Sequence, residues 1–198
     1  MELVLATNNL HKIREIREML KGQKNIDILS LLNFSDYKPE EEKGKTFAEN
    51  AALKAEHAAK ALNKWVLADD SGLVVPALND RPGVISRRYA GDDATDAENC
   101  HKLLEDMETM EDLKRAAYFE CCLVLANPEG LVKSVTGKVE GMIITEEKGN
   151  SGFGYDPVFL KNDYDKTFAE LDESTKNRIS HRRKALDKLL SEIEALKD

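Results

Sequence analysis

The sequence predicts a mixed α/β fold: an elongated central sheet with flanking helices, arranged as two lobes around a cleft. Two patterns carry that prediction. Residues 2–68 alternate between strand-like and helix-like periodicity, as expected of helices packed on a partly parallel sheet. Residues 116–145 read instead as one long antiparallel hairpin, which suits a second lobe. At 198 residues the chain is long enough for one domain, 1–198, whose lobes share a sheet, and too short for two comfortable independent cores.

In chain order, residues 2–6 form a short apolar run suited to a buried strand. Ile13, Ile16, Met19 and Leu20 then repeat with helical spacing until Gly22 offers a stop. Residues 26–32 read as a second strand, followed by a polar loop that contains Glu40, Glu41 and Glu42. Thr46 and Glu49 have capping-box spacing and open an alanine-rich helix that ends near Asn63. A third strand, Trp65 to Ala68, is expected to end at Asp69-Asp70-Ser71-Gly72, a segment poor in strand formers and rich in turn residues. Thr95 and Glu98 repeat the capping box before a helix with Leu103, Leu104 and Met107 on its apolar side. The hairpin turns at Asn127-Pro128-Glu129-Gly130, Gly149 to Pro157 is a glycine-rich loop, and Leu186, Leu189, Leu190, Ile193 and Leu196 share a helical face near the end.

A net charge of −8 disfavours a nucleic-acid polymer or an anionic membrane as partner, since both call for a broad basic surface. A small anion remains compatible if a metal ion or a local group of Lys and Arg offsets the field. Three cysteines, Cys100, Cys121 and Cys122, show neither a disulfide framework nor zinc spacing. No apolar run approaches the roughly 20 residues of a membrane span, and the expected location is a reducing cytoplasm.

Four segments offer chemistry. Thr7-Asn8-Asn9-Leu10-His11-Lys12 joins a strand to a helix, where free N–H groups, the helix dipole and Lys12 attract phosphate; most such turns nevertheless bind nothing. Adjacent Asp69 and Asp70 should face opposite sides of the sheet, and paired acids suit Mg²⁺, whereas an isolated Asp-Asp-Ser-Gly is more commonly a solvated turn. In Gly152-Phe153-Gly154-Tyr155-Asp156-Pro157 the glycines permit close backbone approach and the aromatics either stack on a base or plug the core. Lys176, Arg178, His181 and Arg182 concentrate positive charge. On one unbroken helix Lys176 and Arg182 would lie about 240° apart, so a helix break near Ser180 is predicted, with Ser180 capping a second helix whose first turn presents His181 and Arg182.

Taken in order, Leu5-Ala6-Thr7-Asn8-Asn9-Leu10-His11-Lys12, Thr46-Phe47-Ala48-Glu49-Asn50-Ala51 with Lys54, Ala68-Asp69-Asp70-Ser71-Gly72-Leu73, Pro82-Gly83 with Arg88-Tyr89, Gly152-Phe153-Gly154-Tyr155-Asp156-Pro157 and Ile179-Ser180-His181-Arg182 resemble the Ham1-like family of inosine, deoxyinosine and xanthosine triphosphate pyrophosphatases. The resemblance implies hydrolysis of deaminated purine nucleoside triphosphates to monophosphate and pyrophosphate in a nucleotide-binding cleft, with Mg²⁺ as cofactor, and a homodimer. It places the proton acceptor on Asp70, the metal ligands on Asp70 and Glu41 with Glu42 as a neighbouring alternative, and substrate contacts on Thr7, Asn8, Asn9, Leu10, His11, Lys12, Ser71, Phe153, Gly154, Tyr155, Asp156, Lys176, His181 and Arg182. Asn8 and Ser151 stand where the family often has glycine. The rival expectations are a Maf-like pyrophosphatase for other modified nucleotides, which the Ser-His-Arg and Phe-Gly-Tyr-Asp segments oppose, and a nucleotide sensor that does not hydrolyse, which the retained acids oppose.

Overall fold

A computed structural model describes residues 1–196. The strands are β1 (Glu2–Leu5), β2 (Asp27–Ser30), β3 (Trp65–Val75), β4 (Arg81–Pro82), β5 (Ala116–Asn127), β6 (Gly130–Ile143) and β7 (Phe159–Lys161); the helices are α1 (Leu10–Met19), α2 (Phe47–Leu62), α3 (Asp96–Asp106), α4 (Glu173–Ile179), α5 (His181–Leu186) and α6 (Leu190–Ala195). The sheet order is β2-β1-β3-β5-β6-β7, with β4 on β3. β1 pairs parallel with both β2 and β3, while β3–β4 and β6–β7 are antiparallel, so the sheet is mixed, as the sequence predicts. Among the described residues no helix is long and apolar enough to cross a membrane.

Contacts divide the chain into two compact units: residues 1–70, 121–137 and 182 onward, and residues 71–120 with 138–181. In the first unit, Leu3 and Leu5 of β1, Ile13 and Ile16 of α1, Leu67, Leu123 and Leu125 form the core, joined by Ala185, Leu186, Leu189 and Ile193 near the C-terminus. α1 starts where Asn9 accepts the His11 and Lys12 N–H groups, and its 3.6-residue apolar stripe then reaches that core. α2 starts at Thr46, whose hydroxyl accepts the Glu49 N–H; Glu49 turns back one residue further than a capping box requires, to the Lys45 N–H. Asn63 closes α2 in the left-handed conformation that Asn tolerates.

The second unit packs Leu73, Val75, Leu103, Met107, Phe119, Val139, Tyr155, Phe159 and Phe168 into its own core. α3 opens with the full Thr95–Glu98 capping box. β5 and β6 are neighbours joined at the expected turn, but they do not make a second lobe: residues 121–137 of the pair belong to the first unit, where Leu123 and Leu125 pack into its core. The helix break is present: α4 stops at Ile179, Ser180 is extended (φ −70°, ψ 161°), and α5 begins at His181. The single C-terminal helical face is interrupted, because α5 and α6 are separate short helices.

One expectation fails with consequence for the site. β3 does not stop at Ala68; it runs through Asp69, Asp70, Ser71 and Gly72 to Val75. Tertiary context overrides the weak strand propensity of these residues, and Gly72 supplies a reason. A Cβ there would lie 2.3 Å from Ser86 Oγ and 2.7 Å from Gly83 O, so only a bare backbone lets the Ser86 hydroxyl reach the Leu73 N–H at 3.0 Å. Gly72→Ala is therefore expected to destabilise the fold by about 1–3 kcal/mol through overpacking, read as a lower denaturant midpoint at unchanged m.

Candidate active site

In the first unit, alternation along β3 gives its two acids different partners. Asp69 is buried. It accepts from Lys12 Nζ, from Arg182 Nε at 2.8 Å and from the Cys121 thiol at 3.1 Å, and Arg182 donates in addition to Glu15. Burial opposes the charged form of Asp69, but Arg182 and Lys12 outweigh it and hold the carboxyl well below the usual carboxylate range. Arg182 is 1% exposed, and its charge is committed to these two acids.

Asp70 has the opposite environment. Its Oδ1 takes a hydrogen bond from Lys54 Nζ at 2.9 Å, while its Oδ2 is buried without a hydrogen-bond partner among the described residues. Burial raises its pKa, because the pull of Lys54 and Lys12 does not compensate for lost hydration. Lys54 reaches Asp70 from α2 and also donates to the Asp69 carbonyl at 2.8 Å and to Glu42 Oε1 at 3.1 Å. Burial works against the Lys54 charge, and Asp70, Glu42 and Asp69 more than offset it, leaving its pKa raised. Glu41 lies in the same loop but pairs with Lys43 at 2.8 Å on the exposed side.

The segment before α1 has two backbone donors to offer. The Asn9 N–H goes to Thr7 Oγ1, those of His11 and Lys12 go to Asn9 Oδ1, and that of Thr7 goes to Leu5 O. Among the described residues the exposed Asn8 and Leu10 N–H groups have no such partner, and they sit at the positive end of α1.

In the second unit, Asp156 Oδ2 accepts the Phe153 N–H at 2.9 Å and Lys176 Nζ at 2.5 Å, and the Lys176 ammonium lies 4.5 Å from the Phe153 ring centroid. Gly152 has φ +79°, and a Cβ there would fall 2.0 Å from Asp156 Oδ2. The two aromatics of the loop diverge. Tyr155 is a core plug whose hydroxyl donates to Ser86 O at 2.8 Å, whereas Phe153 is half-buried. His181 stacks on Phe119 at 4.8 Å with 13° between rings. Ser71 follows Asp70 on β3, half-buried.

Sequence reasoning assigns no chemistry to Lys54, Glu15 or Cys121. A signal exists for the first: Lys54 shares the buried stripe of α2 with Asn50, Ala51, Ala55 and Ala58, so a charge is placed where an apolar residue is expected. Glu15, by contrast, lies about 160° around α1 from Ile13 and about 100° from Ile16 and carries no such mark.

A divalent cation fits this donor set. Among the described residues no three His, Cys, Asp or Glu side chains gather into a cage. One unpartnered buried Asp70 oxygen with Glu42 close to the same lysine is nevertheless the sparse, all-oxygen arrangement that Mg²⁺ accepts, since it retains waters and shares substrate phosphates.

The sequence profile of the Ham1 family matches residues 3–192. The chain belongs to the Ham1 family. It is 58% identical over 199 residues to a dITP/XTP pyrophosphatase of Protochlamydia amoebophila, covering all of both chains, and 50% identical to one of Chlamydia abortus, covering 99% of this chain and 96% of that protein. Among solved structures, a HAM1 protein from Coxiella burnetii superposes with a TM-score of 0.89 at 44% identity, covering 99% of this chain and all of the other. The Staphylococcus aureus Ham1 protein superposes with a TM-score of 0.87 at 41% identity, with both chains fully covered. The mixed sheet with flanking helices is thus the Ham1 fold.

Loss of one partner from the buried cluster leaves uncompensated charge. Arg182→Leu is expected to lower unfolding free energy by about 3–5 kcal/mol, measured by chemical denaturation. The depressed Asp69 pKa gives a second signature. Its contribution is fully present above the ordinary value of 3.8 and is lost as pH falls through the folded value. Wild type should therefore lose stability below about pH 4 that an Asp69→Asn variant does not have to lose.

Proposed function

We propose that this chain is an enzyme that hydrolyses deaminated purine nucleoside triphosphates, dITP, XTP and ITP, to the monophosphate and pyrophosphate. The observation that carries the chemistry is Asp70: a buried carboxylate with one oxygen held by Lys54 and the other unpartnered, in a chain closely similar to dITP/XTP pyrophosphatases along its whole length. Residues 1–198 act as one catalytic domain.

A water molecule attacks the α-phosphorus, the bond from that phosphorus to the bridging oxygen breaks, and pyrophosphate leaves. The Asp70 carboxylate takes the water's proton. Lys54 fixes the carboxylate by holding Oδ1. Mg²⁺, when bound by Asp70 and a loop carboxylate, supplies Lewis acidity and neutralises phosphate charge. Glu41 is the family-implied loop ligand; Glu42 has the stronger support here, since it shares Lys54 with Asp70 while Glu41 is engaged by Lys43. Thr7 to Lys12 receive phosphate oxygens, the Asn8 and Leu10 amides as ready donors and Lys12 as charge; Ser71 contributes beside Asp70.

Phe153 provides the platform for the purine, with Gly154 close enough for main-chain contact and Asp156 and Lys176 bracing it. Tyr155 contributes by anchoring the loop. Reading of the 6-keto oxygen falls to His181 and main-chain donors near it, because Arg182 is already spent on Asp69 and Glu15. Adenine presents an amino group at that position and would leave a buried donor unpaired, at about 1–3 kcal/mol per group. The buried free cysteines suit a reducing cytoplasm, and family resemblance supports a homodimer.

Pyrophosphate release from dITP, XTP, dATP, dGTP and dCTP, with Mg²⁺ and then with chelator, tests the proposal. Release from dITP and XTP alone, abolished by chelator, is expected; equal cleavage of all five would remove the base assignment, and tight dITP binding without cleavage would make the chain a sensor. Asp70→Asn should cut turnover at least about 100-fold with the thermal midpoint held within about 4 °C. Near-normal turnover would take Asp70 out of the mechanism.

A further inference from the structure

The loop that carries Phe153 is held from a helix that contributes nothing else to the site. α3 presents Asp96 in its first turn and Cys100 one turn later, and side chains four apart lie on one helix face. Asp96 Oδ2 accepts the Gly154 N–H at 2.7 Å, and the Cys100 thiol donates to the Gly154 carbonyl at 3.4 Å. Both main-chain polar groups of one residue are thereby taken by one helix. Gly154 sits at φ +61°, a left-handed conformation whose backbone would otherwise move freely. On its other side Asp156 holds the Phe153 N–H, so consecutive amides are gripped by two different carboxylates.

We propose that Asp96 is a positioning residue for the nucleobase: with Cys100 it clamps Gly154, and through Gly154 it sets the placement of Phe153. The proposal rests on the reading of Phe153 as the base platform. The clamp is separable from helix formation, because the Thr95–Glu98 capping box satisfies the start of α3 without Asp96. Burial pushes the Cys100 thiol up to about 12, so it stays a neutral donor to the Gly154 carbonyl. The exposed Asp96 makes the charge-assisted, and hence stronger, half of the grip.

Asp96→Ala and Asp96→Asn in the full chain test this. Asp96→Ala is expected to raise KM for dITP about tenfold with kcat changed less than about twofold, because it loosens base binding while leaving the Asp70 chemistry alone. Asp96→Asn keeps an acceptor oxygen and should restore most of the affinity. Hydrogen exchange at the Gly154 amide, which needs no substrate, should quicken at least about tenfold in the Ala variant. Unchanged exchange would overturn the clamp, and faster exchange with wild-type KM would overturn its role in base positioning. If wild type does not turn over dITP, the substrate reading falls, and the clamp is then decided by the exchange rates alone.

Discussion

The tightest constraint in the first unit is the need to keep Asp69 charged inside a protein. Moving a carboxylate out of water costs several kcal/mol even after relaxation, and only close, well-oriented partners offset that. Lys12 and Arg182 supply the opposite charge, Cys121 a thiol hydrogen bond, and Glu15 balances the second charge of the pair, so two cations meet two anions. The partners come from α1, β5 and the first turn of α5, and Asp69 itself from β3. One buried charge thus fixes where four separate stretches of chain must meet, which no apolar contact of similar size could specify.

Asp70 takes its surroundings from that arrangement. With Asp69 committed to one set of partners, strand alternation gives its neighbour another, where a single lysine meets it. Two adjacent acids therefore diverge, one held ionised by two cations and the other pushed upward by burial. Lys12, Lys54, Lys176 and Arg182 are all matched to carboxylates, so under the proposed function the chain itself would bring little uncommitted charge to a triphosphate, and a divalent ion would have to supply what these pairs withhold.

Local signals were legible in the sequence. The Thr95–Glu98 box, the 127–130 turn, and the break at Ser180 all follow from rules that operate within a few residues, and the break follows from helical geometry alone. Tertiary pairing was not legible. The contacts of Asp69 span 57, 52 and 113 residues, so no local pattern marks Asp69 as the structural acid or Arg182 as its partner. The continuation of β3 was hidden for a related reason: Asp69 to Gly72 are turn formers whose preference is overruled by a ladder on either side and by a hydroxyl that only a glycine admits.

The loop at 152–156 shows why an aromatic pair in sequence does not translate into a pair of stacking surfaces. Tyr155 can be buried because its hydroxyl finds the Ser86 carbonyl, and Phe153, which has no polar tip to satisfy, is held at the half-buried edge by main-chain bonds on both sides of it. If Phe153 is the base platform proposed above, it accepts any base, since every base has a π-face, and so could not itself distinguish hypoxanthine from adenine. Discrimination would then have to come from hydrogen-bonding groups held at fixed distance from it, and rigidity of the loop would be the condition for selectivity. Asp156, buried between the Phe153 amide and Lys176, and the two side chains of α3 on Gly154 supply that rigidity.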